Sequence, residues 1–175
     1  MATQNTSNPK KQATIEQTKH ELSAAPLTVM AQYIKDFSFE NPNPLQTLKE
    51  SHEAPEMNLN LDIQANPVEE HIFEITLHLK AEAKRASHTL FIAELQYAGT
   101  FKIGENVPKE SVHPILMIEC PRLLFPYARL IIANMTREGG FPTLALTPID
   151  FVELYRKQYI EPQQQKTATV AKAGS

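Results

Sequence analysis

The sequence predicts an α+β fold, a four-stranded antiparallel sheet followed by two helices that pack on one of its faces. Two observations carry that prediction. Between residues 28 and 101, four stretches alternate apolar and polar side chains with period two, the mark of strands with one dry face and one wet face. After Gly104 the alternation ends, and a long run of helical spacing leads to Gly139 and Gly140. A chain of 175 residues, 42% of them hydrophobic, is long enough for one domain with a real core.

The first strand is read from TVMAQYIKDFSFE. Val29, Ala31, Tyr33, Phe37 and Phe39 share one face, interrupted by Lys35, and Gln32, Asp36, Ser38 and Glu40 share the other. In EMNLNLDIQA, Met57, Leu59, Leu61 and Ile63 alternate with Asn58, Asn60, Asp62 and Gln64. In EHIFEITLHLKAEA, Phe73, Ile75, Leu77 and Leu79 alternate with Glu74, Thr76, His78 and Lys80. In HTLFIAELQYAGTF, Phe91, Ala93, Leu95, Tyr97 and Phe101 alternate with Ile92, Glu94, Gln96 and Thr100. Such one-sided strands form antiparallel sheets. The connection NPNPLQTLKESHEAP after the first strand is long and Pro-rich, so it is expected to cross over rather than to form a tight hairpin.

The stretch SVHPILMIECPRLLFPYARLIIANMTREGG reads as a long helix, with Pro114, Pro121 and Pro126 expected to interrupt or kink it and the two glycines to stop it. TPIDFVELYRKQYIEP reads as a second helix, capped by Thr147, with Pro148 in its first turn and Asp150 as a capping-box acid. The long helix poses a problem. From Leu123 to Met135 its apolar side chains fall all around the helical wheel, and only Arg122 and Arg129, with Asn134 and Thr136 nearby, form a polar stripe. A single sheet covers one side. The remaining surface must meet either the second helix and loops of the same chain or a second copy of the chain, and the second copy is the more economical answer.

Composition and charge bound the function. Residues 1–26 and 162–175 are polar and are expected to be disordered tails around a core at 27–161. Residues 31–78 hold two basic and nine acidic side chains, and residues 79–160 hold ten basic and eight acidic. An acidic half argues against nucleic acid as a partner and suits a basic protein. No apolar run reaches the roughly eighteen residues of a membrane span, and the N-terminus has no hydrophobic segment of a secretory signal, which places the protein in the cytoplasm. The glycines form neither a P-loop nor a dinucleotide turn, and neither GxSxG nor HExxH occurs. The histidines show no metal spacing, and Cys120, ahead of a proline in a greasy helix, reads as a buried inert thiol. No enzyme, cofactor or metal site is expected, and no nucleotide binding.

The stretches KDFSFENPN, FIAELQYAGTF and CPRLLFPYARLIIANMTREGGFPTLALTPIDF resemble the SecB family of bacterial protein-export chaperones, over about residues 28–160. The resemblance implies a homotetramer, a dimer of dimers with the long helices between sheets, and so assigns Leu123, Leu124, Tyr127, Leu130, Ile131 and Met135 to an interface. It implies a holdase that consumes no nucleotide, keeps unfolded precursor proteins competent for export and hands them to the SecA motor. The client groove would be lined by Leu45 and Leu48 of the crossover and by Phe141, Leu144 and Leu146 of the loop between the helices. SecA would dock on the exposed sheet face at Asp36, Glu40, Ile92 and Glu94. Two departures stand out: residues 40–72 contain no aromatic side chain, where many members carry one in the crossover, and the tail after Pro162 matches nothing in the family. Two other readings remain open at this point. A SecB-like chaperone dedicated to one partner, such as a toxin–antitoxin pair, would share the fold, and a small-ligand protein or enzyme would need a convergent polar site.

Overall fold

The computed structural model describes residues 25–47, 54–86 and 88–162. The expectations for the two tails lie outside these residues, apart from Ala25, Pro26 and Pro162.

The period-two stretches form strands β1 (Leu27–Glu40), β2 (Glu56–Glu69), β3 (Ile72–Arg85) and β4 (His88–Ile103). They make one antiparallel sheet in the order β1-β4-β3-β2. The Pro-rich connection therefore does cross over, carrying the chain from one edge of the sheet to the other through a helical turn, α1 (Pro44–Thr47). On β3 and β4 the alternation holds as far as a bulge at Leu90, where the register shifts between Ala83 and Lys84, and Ile75, Leu77, Leu79, Leu95 and Phe101 are buried on the dry face. Full burial of each such side chain contributes roughly 1.5–3 kcal/mol.

β1 departs from simple alternation. Its register against β4 slips between Val29 and Ala31 and again between Ile34 and Asp36. Each slip inserts one residue and reverses which face its neighbours occupy. Between the two bulges the faces are opposite to those expected. Gln32 lies on the dry side, where the Tyr97 hydroxyl donates to its side-chain oxygen at 3.2 Å. Tyr33 lies on the wet side, where its hydroxyl donates to Glu74 at 2.5 Å. Beyond the second bulge Phe37 and Phe39 return to the dry face and Asp36, Ser38 and Glu40 to the wet one, as the sequence predicts.

The long helix runs without a break through α2 (Lys109–Pro114), a wide π turn (Ile115–Glu119) and α3 (Cys120–Glu138). The π turn sits between Pro114 and Pro121. Neither proline has an N–H to donate to the preceding turn, and widening the helix there accommodates the missing bonds. Pro126 is carried inside α3. Cys120, Leu124, Phe125, Ala128, Ile132, Met135 and Thr136 face inward and are buried against the sheet. Thr136, expected in the polar stripe, is wholly buried, its hydroxyl donating back to the Ala133 carbonyl at 3.0 Å.

Gly140, at φ 85°, ends α3 in a Schellman turn, with its own N–H donating to Arg137 O at 3.1 Å and that of Phe141 to Thr136 O at 3.0 Å. The last helix, α4 (Phe151–Tyr155), continues into a π turn (Arg156–Ile160). It starts three residues later than Thr147 capping would require. Asp150 is the cap, its carboxylate accepting from the Val152 and Glu153 amides at 3.0 Å each. Phe151 is buried edge-on to Phe125, ring centroids 5.8 Å apart, and this contact holds α4 to the core.

Candidate functional site

Three surfaces stand out. The first is a cavity of about 310 Å³ at the end of the sheet where α3 gives way to the loop. Met57, Leu90 and Phe91 of the sheet form one wall, and Phe141, Pro142 and Leu144 form the other, with Arg85 at the margin. The loop is held in place by chemistry legible in its sequence. The Schellman turn at Gly140 aims Phe141 back toward the sheet, where its ring lies 4.8 Å from that of Phe91. Thr136 Oγ1 accepts from the Leu144 amide at 3.0 Å, which ties the loop to the buried face of α3. Phe39 completes the cluster, its ring 5.6 Å from that of Phe91 and 6.1 Å from that of Phe141.

Phe141 and Leu144 therefore line the cavity. Leu146 does not, because it is buried in the core beneath the loop. Leu45 is 74% exposed and lies outside the cavity lining, and Leu48 falls outside the described residues. Met57 and Phe91 were missed because strand alternation marks them as ordinary core residues, and Leu90 because alternation puts it on the wet side, whereas a bulge in β4 at Leu90 turns it inward. Only the end of a sheet can offer such residues to a ligand, and alternation carries no sign of where the covering helix stops.

The second surface is the wet face of the sheet. Its register places three rows side by side: Asp62, His78, Gln96 and Asp36; then Asn60, Lys80, Glu94 and Ser38; then Asn58, Glu82, Ile92 and Glu40. Asp36, Glu40, Ile92 and Glu94 thus come together on β1 and β4. Ile92 and Glu40 are direct cross-strand partners, and Asp36 and Glu94 share a shallow depression of about 180 Å³ with His78 and Lys80. Lys80 pairs with Glu94 from the neighbouring strand, a contact that alternation alone could not reveal.

The third surface is apolar. Leu123, Tyr127 and Leu130 project outward from α3, and Leu130 is 58% exposed. The patch continues onto edge strand β1. Tyr127 stacks on Tyr97 at 6.3 Å, and Ile34, itself exposed, is the cross-strand partner of Tyr97. Ile131 is half-buried. Leu124 and Met135, assigned to the same interface, instead lie in the chain's own core, facing the sheet. A helical wheel shows apolar residues on all sides but not which side the sheet covers.

Burial pushes the Cys120 thiol up to about 12, with the Glu119 carboxylate adding to the effect, so it is an inert core residue at neutral pH. Among the described residues no group of three His, Cys, Asp or Glu side chains could hold a metal ion. Among those residues, no helix is long and apolar enough to cross a membrane.

Comparison with known proteins is consistent across the chain. A family model described as preprotein translocase subunit SecB matches residues 19–162. The chain is 51% identical over 149 residues to the protein-export protein SecB of Rhodopseudomonas palustris, covering 85% of this chain and 94% of that protein. It is 52% identical over 141 residues to the protein-export protein SecB of Bradyrhizobium diazoefficiens, covering 80% and 87%. Among solved structures it resembles a SecB-like chaperone of Mycobacterium tuberculosis in complex with an antitoxin peptide, with a TM-score of 0.57 over 74% of this chain and 94% of that one. At 14% identity that last likeness shows a shared fold.

Proposed function

The chain belongs to the SecB family of protein-export chaperones, which are not enzymes, and on that premise we propose that it holds unfolded precursors at the Phe91–Phe141 cavity and is docked by SecA on the wet face of its sheet. The cavity carries the first half of this reading. Aromatic and aliphatic walls bind exposed apolar side chains of any sequence, which is what a client without a fixed structure offers. Many such contacts along one chain, each weak, hold it by avidity, and no nucleotide is needed.

Self-association follows from the third surface. Leu123, Tyr127 and Leu130 on α3 and Ile34 and Phe37 on β1 expose large apolar side chains of the kind that mark an interaction surface. A homotetramer, built as a dimer of dimers with α3 in the seam, would cover them. It would draw on Ile131 as well but not on Leu124 or Met135. The cytoplasm, where precursors are made, is the compartment this role requires.

The test is an aggregation assay with a chemically unfolded client. Wild-type protein is expected to suppress aggregation without ATP, and Phe141→Ala to weaken suppression while leaving mass and helicity unchanged. Full suppression by both Phe141→Ala and Leu144→Ala would remove the cavity from the client site.

A further inference from the structure

Lys80 stands at the centre of the wet face, in the middle row of the sheet. Around it lie the carboxylates of Asp36, Glu40, Asp62, Glu82 and Glu94, and it is the one lysine or arginine in the three rows that hold them. Its ammonium is paired with Glu94. It also lines two shallow depressions on this face, one with Asp36 and Glu94, the other with Asn58 and Glu82. Lys80 and Glu94 are each about half exposed, so a partner can reach the pair from solvent.

We infer that Lys80 is an internal competitor for the docking face: it occupies Glu94 in the free protein and must be displaced by a cationic side chain of the partner before docking is complete. This rests on the reading that a basic polypeptide docks on this face. The displaced ammonium has somewhere to go. Glu40 lies beyond Ile92, and Glu82 lies two residues along β3 on the same face, where Lys84 already pairs with it at 2.9 Å and would share it. Both already act electrostatically on Lys80, after the stronger hydrogen bond and charge of Glu94.

Two consequences follow from the charges. An exposed ion pair is weak, so exchanging Lys80 for a partner cation is feasible at modest cost. The remaining positive charge also repels any basic partner from the middle of an otherwise acidic patch, which holds affinity down and favours release. A chaperone that must hand over its client and detach gains from a docking contact that is reversible in this way.

The experiment is a titration of SecA with wild-type protein, Lys80→Gln and Lys80→Arg, at low and at high salt. Lys80→Gln is expected to bind about two- to five-fold tighter at low salt, with the gain shrinking as salt rises. Lys80→Arg should bind like wild type, and all three should keep the same mass and melting temperature. In a Glu94→Gln background the Lys80→Gln gain should fall by half or more, because little is left to release. Wild-type binding with no gain in Lys80→Gln, or an equal gain in both backgrounds, would overturn the competitor role alone. Absence of salt-dependent binding by wild-type protein would overturn the docking reading, and this inference with it.

Discussion

Leu124 of α3 presses directly on Gly99 of β4: its Cδ2 lies 2.9 Å from where a Cβ on that glycine would stand. The Ala31 carbonyl and the Phe101 ring crowd the same point at 3.0 Å each. Gly99 is therefore a point of close approach between helix and sheet, and a hydrogen is the only side chain that fits. Gly99→Ala is expected to destabilise the fold by about 1–3 kcal/mol. Chemical denaturation would show this as a lower midpoint. Leu124→Ala removes one of the three clashing groups, so the double variant should cost less than the sum of the single ones. Strict additivity would mean that helix and sheet do not touch here as described.

The buried thiol supplies a second test. Cys120 keeps its proton to about pH 12 when folded, whereas a thiol in the unfolded chain loses it near pH 8.5. Above pH 8.5 the unfolded chain therefore binds fewer protons, and stability falls as pH rises, by about 1.4 kcal/mol per unit from this group until pH nears 12. Cys120→Ala should flatten that slope. Alkylation of the wild type at pH 8 should be slow when native and fast in denaturant. Rapid alkylation of the native protein would show that Cys120 is accessible.

A third prediction concerns the bulged segment of β1. Glu74 accepts from Lys35 and from the Tyr33 hydroxyl, each at 2.5 Å. The hydrogen bond to Glu74 raises the Tyr33 phenol to about 12, with desolvation adding to it. The Glu74 carboxyl is lowered in turn, first by Lys35 and then by Tyr33. The two groups work in opposite directions on the pH axis. Tyr33 contributes stability that is present below the usual tyrosine range and lost as pH rises toward 12, and Glu74 contributes stability that is lost as pH falls through its lowered value. Glu74→Gln should bring the Tyr33 titration back toward 10, read as phenolate absorbance against Tyr33→Phe. An unchanged titration would rule out the hydrogen bond as its cause.

The same segment shows where sequence reading runs out. β3 and β4 are flanked by other strands, and between the Ile72–Lys102 and Ala83–Phe91 pairs their register is unbroken, so alternation there is a faithful record of facing. β1 is an edge strand, free to bulge at Met30 and Lys35, and a bulge leaves no compositional mark beyond Lys35 falling where an apolar residue is expected. That is why Gln32 and Tyr33 change places while Asp36 and Glu40 do not. The acidic face was legible because it lies beyond the second bulge. The cavity was half legible: glycine and loop chemistry point to Phe141 and Leu144, but Phe91 is indistinguishable from a core residue until the end of α3 is known. The residues that the family resemblance assigns to an interface divide in the same way, since helical periodicity cannot choose between Leu124 and Leu123.

Assembly is tested at the outward side of α3. A homotetramer of this chain would have a mass of roughly 80 kDa, four times 19.7 kDa. Leu130 is exposed in the single chain, so Leu130→Glu should fold, and it should fail to assemble because a charge in an apolar seam costs several kcal/mol. Leu124→Glu should fail to fold at all, because Leu124 is core. Light scattering separates these outcomes. A wild-type monomer, or a Leu130→Glu tetramer, would refute the seam.

The last prediction separates docking from holding. Asp36 and Glu40 sit on the wet face of β1, and the Phe91–Phe141 cavity opens on the opposite face. Both carboxylates are exposed, and exposed charges contribute under about 1 kcal/mol each to folding. Replacing both with Ala should therefore leave stability and mass nearly unchanged. SecA binding should weaken markedly, since a basic partner loses two of the carboxylates around Ile92. The wild-type affinity should itself fall as added salt shortens the screening length below about 10 Å. Suppression of client aggregation should persist, because its contacts are apolar and lie across the sheet. A SecA titration and a client-aggregation assay on the same double variant decide the matter. Loss of both activities together, or of neither, would mean that the sheet does not divide the two tasks between its faces.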